Sequence, residues 1–113
     1  MYGLHMILVA LGFNLLDIIT GVLGAVKNKN MQSSKLRDGI FKKVGYILIY
    51  FLAWFIDTQG NSIGFDIGLD LLPVVVVYIV YTEIISFCEN ISVINPDLLP
   101  EKLLNLLHIK QED

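Results

Sequence analysis

Two carboxylates set the chemical question. Asp17 and Glu83 lie inside long apolar runs, and each has small or polar company at helical spacing. Asn14 precedes Asp17 by three residues, with Gly21 and Gly24 beyond it. Ser86 follows Glu83 by three residues and Asn90 by seven. An ionised carboxylate in the middle of a bilayer costs roughly 2.5–3.5 kcal/mol on insertion scales, so it faces other protein or a water-filled space. The chemistry on offer is hydrogen bonding and ion pairing between helices. Bond-making chemistry lacks its parts. No glycine-rich phosphate loop and no HExxH is present, and the two histidines, His5 and His108, stand at opposite ends of the chain. The single cysteine, Cys88, excludes an intrachain disulfide and a multi-cysteine metal site. The expectation is a protein that is not an enzyme and carries no metal and no cofactor.

The elements that hold these residues follow from composition. The 113 residues suffice for one domain, 1–113. Hydrophobic residues make up 55% and charged residues 17%, with a mean hydropathy of +0.66. Soluble domains carry about 25% charged residues. The charges here are also segregated and leave long uncharged runs, the pattern of a membrane protein.

The first run, 4–26, covers about 23 residues, or roughly 34 Å of helix, which suffices to cross a bilayer. Met1 and the residues up to Met6 contain no Lys or Arg, and the apolar run is longer than a signal-peptide core, so a retained helix is expected. Ala10, Asn14, Asp17, Gly21 and Gly24 fall on one stripe of it. Small residues let helices approach closely in lipid and polar ones seek partners across the contact. Asn14, Asp17, Gly21, Gly24, Glu83 and Ser86 are therefore the expected pore or oligomer interface, the polar stripe meeting either another copy or this chain's own other helices.

The stretch 27–43 contains six of the eight basic residues, Lys27, Lys29, Lys35, Arg37, Lys42 and Lys43, with Asp38 its only acid. Short loops rich in Lys and Arg stay in the cytoplasm, so these six are expected to fix topology and to touch anionic lipid. Ser33 or Ser34 is an expected cap for a helix beginning near Lys35. The flanking apolar helices argue against nucleic acid as a partner. The second span, 40–56, has an uncharged part of only about 13 residues, so a full crossing requires Lys42 and Lys43 to snorkel toward the headgroups. Tyr50, Trp54 and Phe55 read as interfacial aromatics. The loop 57–70 holds Asp57, Asp66 and Asp70 and no basic residue, and reads as a solvated turn outside.

The third span, 69–90, begins with Pro73 near its start, where a missing N–H is tolerated. Its valine run would suit a strand in water, but an isolated strand in lipid leaves its backbone unsatisfied, so helix is expected. Asn95 and Pro96 end it. A short amphipathic helix, 100–110, follows. The fold expected is all-α: three transmembrane helices with the N-terminus outside and the C-terminus cytoplasmic.

The residues also carry a resemblance. LDIITGVLGAVKNKNMQSSKLRDGIFKKVGYILIYFLA resembles the front half of the phage-lysis and toxin-secretion holin family. The matching positions are Asp17 with Gly21, Lys27 with Lys29, Ser33 and Ser34, then Gly39, Ile40, Lys42 and Lys43. YTEIISFCENISVINPDLLPEKL is similar to the family's final helix through Tyr81, Glu83, Glu89, Asn90, Pro96 and Pro100. The likeness runs from about residue 15 to 107; the acidic loop departs most. It implies a homo-oligomer of the bacterial cytoplasmic membrane, working with an endolysin or a large toxin that its lesions release. Two other classes stay open: a small oligomeric ion channel or transporter, and an antiholin-like membrane adaptor.

Overall fold

A computed structural model describes residues 2–29 and 32–106. Three long helices account for most of them: α1 (Tyr2–Lys27), α2 (Ser33–Gln59) and α3 (Leu71–Ile94). A six-residue helix, α4 (Glu101–Leu106), follows. No strand occurs among the described residues. All three long helices are long and apolar enough to cross a membrane. At about 1.5 Å per residue they measure roughly 36–40 Å, more than the ~30 Å hydrocarbon layer.

The second helix is longer than its apolar core implies. It starts at Ser33, so both serines lie inside its first turn instead of capping it, and the polar residues up to Arg37 are helical. The added turns remove the length problem that made this span doubtful. The valine run is helical, with Pro73 in the first turn of α3. That helix ends at Ile94, where Asn95 is extended and its side chain accepts from the Asp97 N–H. Of the amphipathic segment expected at 100–110, Glu101–Leu106 is helical, and residues 107–110 lie outside the described part.

The helices alternate in direction. Gly3 lies beside Trp54 of α2 and Leu72 of α3, whereas Gly24 lies beside Val93 at the far end of α3. So α1 and α3 run parallel and α2 antiparallel to both. Ile7, Ala10, Tyr50, Ala53, Leu72, Val76 and Ile79 form the buried core in the half near the acidic loop. Leu8, Leu15, Leu23, Phe41, Leu48, Leu52, Val77 and Tyr78 point outward and form an apolar belt suited to lipid. Tyr50 is not at the interface expected for it: it is fully buried.

Charged side chains from other helices fix both ends of α3. Asp57, in the last turn of α2, accepts from the Leu71 N–H through Oδ1 and the Leu72 N–H through Oδ2, each at 2.7 Å. A carboxylate there satisfies orphan amides and meets the positive end of the helix dipole. Asp57 is thus a cap supplied across the bundle, not part of a solvated turn. At the opposite end, Lys27 Nζ donates to the carbonyls of Val93 and Ile94.

Candidate membrane-embedded polar site

The apolar core ends where the polar residues of the three helices meet. Lys43 Nζ lies 2.6 Å from Asp17 Oδ2 and 3.0 Å from Glu83 Oε1. It is also 2.7 Å from Glu83 Oε2, an ionic contact without hydrogen-bond geometry. One ammonium therefore joins α1 to α3 through α2. Glu83 is 1% exposed and Lys43 8%. Lys43 does not snorkel as expected, because two carboxylates inside the bundle offer its ammonium more than the headgroups do. Asn90 completes the cluster: its Nδ2 lies 2.9 Å from Asp17 Oδ1, 3.2 Å from the Asp17 carbonyl and 3.0 Å from Thr20 Oγ1. Thr20 turns its hydroxyl back onto the Leu16 carbonyl at 2.8 Å.

One turn toward the acidic-loop end is a second polar contact. The Tyr50 hydroxyl donates to Asn14 Oδ1 at 2.9 Å, and both residues are buried. Asn14 Nδ2 has no hydrogen-bond partner among the described residues. Near the other end, small residues allow close packing: a Cβ on Gly24 would stand 3.3 Å from Val93 Cγ1, tighter than ordinary contact.

At the basic end α1 and α2 separate and leave a cleft of about 250 Å³. Asp17, Lys43, Ser86 and Asn90 form its polar part; Ile18, Val22, Leu36 and Ile40 are among its apolar walls; Gln32 and Lys35 also line it. The cleft exceeds the ~10–15 Å³ that one water requires, so the ion cluster is accessible from one side.

The six residues expected at an interface divide accordingly. Asp17, Gly21 and Ser86 border the cleft. Asn14, Gly24 and Glu83 are buried against other helices of the same chain. The six basic residues divide too. Lys43 is internal, Lys27 reaches the end of α3, and Lys35 lines the cleft. Lys29, Arg37 and Lys42 are exposed. Sequence reading put Asn90 on the right stripe but left it out of the candidate site, and it missed Thr20 and Tyr50. An asparagine one helical repeat from Glu83 was the available signal for Asn90; an aromatic in an aromatic-rich span gave none for Tyr50. Among the described residues no cluster of His, Cys, Asp and Glu fits a metal.

Compared with known families, residues 2–111 match the family model of the bacteriophage holin family. No curated protein and no solved structure matches the chain.

Proposed function

This chain belongs to the bacteriophage holin family, and from that premise we propose that its copies assemble in the bacterial cytoplasmic membrane into lesions that release an endolysin for host lysis. In the toxin-secretion branch of such proteins the cargo is a large toxin. The family match over 2–111 carries the reading. The buried Asp17–Lys43–Glu83 cluster supports it in a second way. A simple anchor has no use for three ionisable groups at membrane depth, whereas an assembling protein uses them to fix which surfaces meet. With its carboxylates held internally, a single copy is stable enough to accumulate before it assembles. Asp17, Gly21 and Ser86 are reachable through the cleft; Asn14, Gly24 and Glu83 join an assembly surface only if the bundle opens. The exposed Lys29, Lys35 and Arg37 hold the basic end of the bundle in the cytoplasm, so the N-terminus is outside.

The test is inducible expression in bacteria with and without an endolysin, scoring viability and release of a cytoplasmic enzyme. Release that depends on the endolysin is expected, and its absence overturns the reading. Asp17→Leu is expected to insert into the membrane and to lose lysis; normal lysis by that variant removes Asp17 from the mechanism.

A further inference from the structure

The buried cluster counts one ammonium against two carboxylates. The helix flank beside it has the opposite imbalance. Lys42 precedes Lys43 by one residue, a rise of only about 1.5 Å, so it occupies the same depth. It is exposed on the outside of α2 and makes no ion pair among the described residues; its Nζ lies 5.9 Å from the centroid of its own Tyr46 ring. Both stand about ten residues, roughly 15 Å, from the basic end of α2, deep enough that an unpaired lysine facing lipid is costly. The excess negative charge is reachable through the α1–α2 cleft, which has Asp17 in its wall and ample room for a long side chain. Lys35 and Arg37 lie one to two turns nearer the headgroups and do not match that depth.

We infer that Lys42 of one copy enters the α1–α2 cleft of the next and pairs with Asp17 there, supplying the positive charge that the buried cluster lacks. The inference rests on the assembly reading above and names its interface. Lys42, Lys43, Asp17 and Glu83 together balance, two charges against two, but only between copies. The donor surface, the flank of α2, differs from the acceptor, the cleft. The contact is therefore head-to-tail, and such contacts close into rings or extend as filaments instead of stopping at a dimer. The stem of Lys42 lies along the apolar walls at Val22 and Ile40 while its ammonium meets Asp17.

Site-directed disulfides test this. Asp38 is one turn nearer the basic end than Lys42 and exposed, and Val22 lines the cleft at the matching depth. Full-length copies carrying Asp38→Cys are coexpressed with differently tagged copies carrying Val22→Cys, both with Cys88→Ala. Oxidation of isolated membranes is expected to give a disulfide between the two tags. Adding Lys42→Glu is expected to lower that product by about tenfold, since it sets like charges together, while Lys42→Arg preserves it. Amine-reactive crosslinking of the same membranes reads assembly independently through the remaining lysines. Oligomers by amine crosslinking without the 38–22 disulfide, or a disulfide indifferent to Lys42→Glu, overturn this interface and leave the assembly reading intact. No oligomers by either route overturns the assembly reading and this inference with it.

Discussion

In the half of the bundle near the acidic loop, Ile7, Ala10, Ala53, Leu72, Val76 and Ile79 interlock around the Tyr50 ring, with no charge among them. In the other half, Asp17, Lys43, Glu83 and Asn90 join the helices, and beyond them α1 and α2 part around a cleft. The two halves solve one problem differently. Lipid tails are as apolar as leucine, so burial from water does not drive helices together, and the apolar half relies on close van der Waals packing. That packing holds many similar arrangements almost equally well. The charged half is selective: a rotation or one-turn slip of any helix leaves a carboxylate or an ammonium unpaired in lipid. The apolar half therefore supplies cohesion, and the charged half fixes rotation and register while leaving a side open.

The largest test of this contrast is Lys43→Met. It strips the shared cation from two buried carboxylates, and breaking a buried pair in this way costs about 3–5 kcal/mol. A marked fall in accumulated protein and in the unfolding midpoint in detergent is expected. Replacing all three groups, Lys43→Met with Asp17→Asn and Glu83→Gln, is expected to recover most of the stability but not lysis. If Lys43→Met alone leaves stability unchanged, the charged half does not hold the fold and the contrast is broken. A smaller effect is expected for Asp57→Ala, which removes the cap on α3. Losses of about 1–2 kcal/mol are usual for such caps, and hydrogen exchange should rise at Leu71 and Leu72 while the Asp17 region stays protected. Exchange rising equally at Asp17 would show that the halves are not independent. The smallest is Tyr50→Phe. Hydrogen bonds between membrane helices average about 0.6 kcal/mol, and Asn14 already has one unsatisfied group, so a shift near that size is expected in the same unfolding measurement.

Much of the fold was legible because it depends on short-range patterns. Three apolar runs separated by a basic and an acidic segment specify three helices and their alternation, although the second run alone is shorter than a bilayer. Asn95 with Pro96 specifies where the third one stops. The start of α2 was legible to within two residues of Lys35 but its cap was not, because Gln32 takes the cap position and both serines fall inside the first turn. Asp57 as a cap for α3 was not legible either, since its partners lie 14 and 15 residues away and no local rule links them.

The candidate site divides in the same way. By themselves, the residues at 14, 17, 21, 24, 83 and 86 established that polar and small groups share a helical face inside the membrane, because spacing alone decides which residues share a face. What they meet was decided by the tertiary structure. Lys43 reads as a member of a cytoplasmic basic cluster, and nothing local distinguishes it from Lys42 beside it. A rotation of about 100° per residue sends one lysine between two carboxylates and leaves its neighbour on the outer surface. That assignment depends on how α2 is turned against α1 and α3, a property of three packed helices that no single stretch of the chain contains.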